Sequence, residues 1–281
     1  MAIRFLVDST SDFMPEEVKA KGLDIVPLAV NFDDEIFLDN VTMTHEEFYE
    51  KLTTSGIFPK TSQPAPADFL PFFEAAQEAG DDLICILLSS KLSGTVQSAV
   101  LAKNICDYDN IHIIDSLNAI TGIRALVDLG LALRKQGLSA SEIVAELEVA
   151  KERIRLVAMV DTLEYLHKGG RLSATSAVVG TILKIKPLLT LKDGKLEVIG
   201  KARGIKDAYR TLLATLGDDL NCDPRVPVYY GYSRDQELCL GFKAQADEKY
   251  GLVDTQCFSI GATIGTHVGP GAFAITYIEG K

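Results

Sequence analysis

Short apolar runs alternate with helical patterns through the first half of the chain. Ile3–Val7 reads as a strand that breaks at a polar loop, Asp8-Ser9-Thr10-Ser11-Asp12, before a short helix from Pro15 to Lys21. A second strand is predicted over Ile25–Val30. Thr44 and Glu47 have the spacing of a capping box, in which a hydroxyl and a carboxylate satisfy each other's backbone N–H groups, so a helix should open there and run to Thr53. The pattern continues with a helix at Asp68–Ala79, a buried strand at Leu83–Leu88, and a loop ending in Ser93-Gly94-Thr95. That loop opens a helix to Cys106, followed by a strand at Ile111–Asp115 and a helix at Gly122–Lys135. Strands alternating with helices call for right-handed crossovers on a largely parallel sheet.

A second capping box, Ser139 with Glu142, starts a helix expected to reach Ile154 and to end a first domain, residues 1–154. Residues 155–281 have a different rhythm. Leu156–Val160 reads as a strand and Thr162–His167 as a short helix. Pro187–Leu191 and Leu196–Ile199 flank an Asp193-Gly194 turn and so form a hairpin. Ile205–Leu216 and Gln236–Tyr250 are helical. Strands are predicted at Val226–Tyr232, Thr255–Ile260 and Phe273–Ile278. The expected architecture is α/β with two domains, a parallel sheet between helices and then a mixed sheet covered by helices.

Bulk properties narrow the function classes. A 281-residue chain, 47% hydrophobic and 24% charged, can bury a sizeable core in each half. With 28 Lys+Arg against 39 Asp+Glu the net charge is −11, a field that repels nucleic acid. The five cysteines are scattered without a CxxC pair, so neither a disulfide framework nor a zinc site is expected. No stretch of about 18 apolar residues spans a membrane and no secretory signal opens the chain, which suggests a cytoplasmic location.

Common catalytic and nucleotide-binding motifs are absent: there is no GxSxG, HExxH, GxxxxGK[ST] or GxGxxG after a strand. Candidate chemistry lies instead in polar, glycine-containing segments at element junctions. Lys60-Thr61-Ser62-Gln63-Pro64 precedes a helix, and Leu88–Thr95 joins a strand to a helix N-terminus. Ligands of open α/β sheets dock at such strand ends, and hydroxyls beside a helix N-terminus can hold an anion. From local sequence alone, Thr61 and Ser93 read first as plain helix caps. Asp161–Ser173 reads either as a helix stopped by glycine or as a platform that exposes Arg171 to phosphate or an acidic partner. Gly261–Gly271 is a glycine-rich loop containing His267. A hydrolase assembled from Ser93, His267 and an aspartate is a further possibility.

Together these segments resemble the DegV family of bacterial fatty-acid-binding proteins. The resemblance rests on Val7–Asp12, Thr61-Ser62-Gln63-Pro64, Leu92–Thr95, Ile114-Asp115-Ser116, Asp161–Ser173, Lys186–Leu189, Ala202-Arg203-Gly204 and Gly265–Gly271, in that order along the chain. It implies a long-chain fatty acid enclosed between two α/β domains, with no cofactor, and presented to a separate fatty acid kinase catalytic subunit that makes an acyl phosphate. By the same resemblance, Thr61, Ser93 and His267 hold the carboxylate, while Arg171 and Arg203 serve the kinase partner. Ile120, Thr121 and Phe32 are expected on the pocket wall. Thr121 departs from the methionine frequent before this glycine in the family. Burying about 15 methylenes at ~0.8 kcal/mol each supplies on the order of 12 kcal/mol gross, provided donors relieve the cost of burying the carboxylate. An enzyme acting directly on acyl or phosphate substrates is the alternative.

Overall fold

The computed structural model describes residues 2–172 and 185–281, so the Ser173 end of the basic segment lies outside the described residues. The first half contains β1 (Ile3–Asp8), α1 (Pro15–Lys21), β2 (Leu23–Val26), β3 (Ala29–Phe32), β4 (Glu35–Leu38), α2 (His45–Thr54) and β5 (Lys60–Ser62). It continues through α3 (Pro66–Ala79), β6 (Asp82–Leu87), α4 (Thr95–Cys106), β7 (Ile111–Asp115), α5 (Thr121–Lys135) and α6 (Ala140–Lys151). The second half contains β8 (Ile154–Met159), α7 (Glu164–Lys168), β9 (Ile185–Lys192), β10 (Lys195–Arg203), α8 (Ile205–Leu216) and β11 (Val228–Tyr232). It ends with α9 (Gln236–Tyr250), β12 (Thr255–Ser259), α10 (Ala262–Val268) and β13 (Phe273–Ile278).

The chain is an α/β protein with a four-stranded parallel sheet, β2-β1-β6-β7, and a six-stranded mixed sheet, β10-β9-β8-β13-β11-β12. The parallel strands are apolar on both faces because helices cover both. Leu6, Leu83, Cys85 and Leu87 face α3 and α4, while Phe5, Val7, Ile84 and Ile86 face α5 and α6. The second cluster also takes in Leu156, Tyr229, Ile260 and Ile278, so the main apolar core draws on both sheets.

Three expectations change. The strand predicted at Ile25–Val30 is two strands, β2 in the parallel sheet and β3 in a separate three-stranded sheet, β4-β3-β5. Pro27 separates them, and a proline has no N–H to continue a ladder. The helix expected to reach Ile154 stops at Lys151, and Ile154 opens β8. The glycine-rich segment around His267 is not a loop but the short helix α10. Glycine at 261 and 269 bounds that helix, which is why its composition reads as a turn.

A polar hub fastens α10 to the first half. The Asp39 carboxylate accepts the backbone N–H groups of Ala262 and Thr263 at 3.0 Å each, satisfying donors that a helix start leaves open. Ser9 Oγ donates to Asp39 at 3.3 Å and accepts from Leu28 N–H. Asp8 accepts the Leu88 N–H at 2.6 Å, tying the end of β1 to the loop that carries Ser93. Burial, only partly offset by these hydrogen bonds, raises the Asp8 carboxyl to a pKa of about 6. The Asp8–Asp12 segment thus holds the site's framework in place from behind.

Candidate functional site

A cavity of about 300 Å³ lies between the two sheets, at the lower end of the ~300–1,000 Å³ usual for small-molecule sites. Its floor is one face of the mixed sheet. Side chains alternate across a strand, so Leu156, Ala158 and Val160 point in while Val157 and Met159 point out to α8 and α9. Gly231, Ala274, Ala158 and Leu189 stand side by side across four strands. Ala274 and Ala158 are small and hollow the floor, while Ile260 and Thr121 cover Gly231. Leu28, Leu88 and Ile120 from the first half supply the opposing wall.

Polar groups gather at one edge. Thr61 lies in β5, opposite Val30 in the small sheet, and so is a strand residue rather than a helix cap. Its Oγ1 is 2.9 Å from His267 Nε2, a contact spanning 206 residues of sequence. Ser93 sits just before Gly94, which is the cap position of α4, and its hydroxyl bonds Thr95 Oγ1 at 2.9 Å. Neither hydroxyl therefore caps a helix. Gln63 reaches across to Gly94 O and Ser98 Oγ, joining the two hydroxyl-bearing segments. Arg171 also borders the cavity, its guanidinium donating to Leu92 O at 3.1 Å and Gly169 O at 2.7 Å. The arginine expected on an exposed platform is thus part of the pocket edge.

Burial and the neighbouring Arg171 charge push the His267 pKa down to about 4, so the imidazole is neutral at physiological pH. Its Nδ1 has no hydrogen-bond partner among the described residues. No Ser93–His267 hydrogen bond of the kind a hydrolase needs is formed; Ser93 bonds Thr95 and His267 Nε2 bonds Thr61. What the edge offers is two hydroxyls, a neutral imidazole, a guanidinium and the start of α4, all of which suit a carboxylate. Among the described residues no group of three or more His, Cys, Asp or Glu is arranged to hold a metal.

The other expected residues divide. Ile120 lines the cavity, with a left-handed φ of 45° that a β-branched residue rarely adopts. Thr121 does not reach the wall; its hydroxyl bonds Thr276 Oγ1 at 2.6 Å behind it. Phe32 is also off the wall, since its place on β3 turns it toward Phe37 and Phe48 in the core of the small sheet. Arg203 is exposed at the end of β10, away from the cavity lining. Sequence reading missed Thr263, whose buried hydroxyl borders the cavity without a partner among the described residues. It also missed the small residues of the floor, whose signal was the alternation in β8 and β13.

Close packing around His267 makes a direct prediction. A Cβ on Gly169 would lie 2.1 Å from His267 Nδ1, and its backbone angles suit alanine. Gly169→Ala should therefore displace the imidazole and weaken its bond to Thr61. Losing one neutral hydrogen bond of about 0.5–1.5 kcal/mol should lower carboxylate ligand affinity roughly 2- to 10-fold. Ligand titration against wild type checks this, and unchanged affinity would mean that the imidazole contributes nothing.

A polar edge over an apolar cavity has the shape and chemistry to suit an amphiphilic acid. The chain belongs to the DegV family, which it matches over residues 2–280. A DegV domain-containing protein of Caldanaerobacter subterraneus subsp. tengcongensis is 35% identical over 277 residues, 99% of each chain. A Thermus thermophilus structure described as a fatty-acid-binding DegV family protein shares 33% identity, with a TM-score of 0.88 over 99% of this chain and 100% of that one. A DegV lipid-binding protein of Thermotoga maritima shares 30% identity, with a TM-score of 0.89 over the whole of both chains. The architecture and the family expected from sequence both hold.

Proposed function

We propose that this protein binds a long-chain fatty acid in the cavity and presents its carboxylate to the catalytic subunit of a fatty acid kinase. The observation that carries the binding half is the pairing of an apolar floor with an edge of carboxylate donors that brings no competing anion of its own. Solved relatives at 33% and 30% identity are described as fatty-acid- and lipid-binding proteins, which supports the same ligand class here. Thr61 and Ser93 act as donors to the carboxylate, His267 orients Thr61, and Arg171 balances the charge. Residues 1–154 and 155–281 act as the two domains that close on the acyl chain. The polar edge is the end at which a kinase would meet its substrate, and Arg203, exposed at the end of β10, is a contact for that partner. The kinase half of the reading rests on the resemblance of these residues to the family pattern.

Solvent extraction and mass spectrometry of protein purified from a bacterial host should yield one fatty acid per chain. Acyl phosphate should then form from ATP only when a fatty acid kinase is added. An empty cavity would overturn the binding reading. Acyl or phosphate turnover by the isolated protein would favour an enzyme instead.

A further inference from the structure

The hairpin of β9 and β10 is fastened to the rest of the molecule unevenly. The two strands pair with each other along eight residue pairs, but among the described residues β9 pairs with β8 through Leu188, Leu189 and Thr190, with added hydrogen bonds from Val160 N–H to Pro187 O and from Thr190 Oγ1 to Leu156 O. From Leu191 onward the hairpin has left the sheet. Across from Leu189 and Leu188, β10 carries a bulge between Val198 and Gly200, where the ladder loses register. A bulge leaves a residue unpaired and bends its strand. At the far end Asp193 and Gly194 turn the chain with φ of 49° and 77°, a tight two-residue turn.

Among the described residues the tip is held against the first half by one hydrogen bond, with the Lys91 and Leu117 side chains packed close to Gly194. Ser89 Oγ donates to Gly194 O at 2.8 Å, and this bond is buried. Ser89 is fully buried, as is Gly194, whereas Lys192, Asp193, Lys195 and Glu197 are exposed. Leu191 and Leu196 are cross-strand partners, and both line the cavity. A segment with a three-pair attachment, a bulge at its base, one hydrogen bond and two side-chain contacts at its tip, and one leucine pair on the cavity wall is fastened far more lightly than the sheet it leaves. Segments of this kind open at far lower cost than the global fold.

We propose that residues 191–198 form a flap that swings on the bulge at its base, and that opening it is the route by which the ligand enters and leaves the cavity. Opening breaks the Ser89–Gly194 bond and withdraws Leu191 and Leu196 from the wall, exposing the apolar interior without disturbing Thr61, Ser93 or His267. The inference rests on the cavity being the fatty-acid site, as proposed above.

The test is the exchange rate of cis-parinaric acid, a fluorescent fatty acid, followed by stopped flow as it transfers to an albumin sink. Ser89→Ala removes the latch donor and should speed release at least threefold while the thermal midpoint stays close to wild type. A Ser89→Cys/Gly194→Cys double variant supplies a lock, since a Cβ on Gly194 would stand 2.5 Å from Ser89 Oγ. Oxidised, it should exchange ligand at least tenfold more slowly; reduced, it should recover. Wild type treated with the same oxidant controls for its five native thiols. Release from Ser89→Ala at the wild-type rate, or equal rates from the oxidised and reduced double variant, would overturn the flap. Failure of cis-parinaric acid to bind wild type at all would instead overturn the fatty-acid reading, so the two failures are distinguishable.

Discussion

Thr61→Ala combined with Ser93→Ala is expected to emerge from purification largely free of fatty acid. Each hydroxyl is half-buried at the cavity edge, and a donor to a charged group is worth about 1.5–3 kcal/mol. Losing both removes roughly 3–6 kcal/mol, a weakening of about 10²- to 10⁴-fold. Arg171 remains, but its guanidinium already serves Leu92 O and Gly169 O, which restricts how far it can turn. The fold should survive, because neither hydroxyl caps a helix or joins the apolar core. Mass spectrometry of extracted lipid and titration with a fatty acid are the measurements. Full lipid occupancy in the double variant would remove these hydroxyls from the carboxylate site.

Those two residues also show how far a sequence can be read. The locations of Thr61 and Ser93 at polar junctions beside the cavity were legible. Their partners were not. Thr61 meets His267 only because β5 and α10 pack together, and nothing local to either residue encodes a contact 206 positions away. The capping boxes at Thr44 and Ser139 form as expected because they are satisfied within a single turn. The glycine-rich stretch around His267 misled for the opposite reason. Its helix is short and intrinsically weak, and it is held by the Asp39 carboxylate from the other half of the chain. Phe32 was expected on the pocket wall because it is aromatic and apolar. Its side chain faces the small sheet's own core, and the choice between two apolar interiors is made by sheet pairing, not by hydrophobicity. The pair Ala274 and Ala158 makes the same point, since two unremarkable small residues become a cavity floor only once β13 and β8 lie side by side.

Arg124 should be the most costly single side chain to remove. It is 1% exposed, among the buried apolar residues of helix α5. Its guanidinium donates to Ser11 O at 3.2 Å and Asp12 O at 2.7 Å, and it grips both Glu17 oxygens at 2.7–2.8 Å. It is also sandwiched between Phe13 of the first half and Phe258 of β12, 4.1 and 3.4 Å from their ring centres. Arg124→Ala opens a void between the halves and strands two buried carbonyls and a carboxylate, a loss of about 3–5 kcal/mol by analogy with broken buried pairs. That corresponds to a fall in thermal midpoint of roughly 6–15 °C. The loss should depend on pH in a defined direction. Burial pushes the Glu17 carboxyl up, but its bonds to Arg124 and to Met14 N–H outweigh this and hold it below its ordinary value. A carboxylate with a depressed folded pKa stabilises the fold above its unfolded pKa, and that stabilisation is lost as pH falls through the folded value. The gap between wild type and Arg124→Ala should therefore be widest near pH 7 and narrow once the solution is acidic enough to protonate Glu17. Denaturant unfolding at neutral and acidic pH measures both quantities. A pH-independent gap would show that the void and the lost ring stacking, rather than the ion pair, account for the damage.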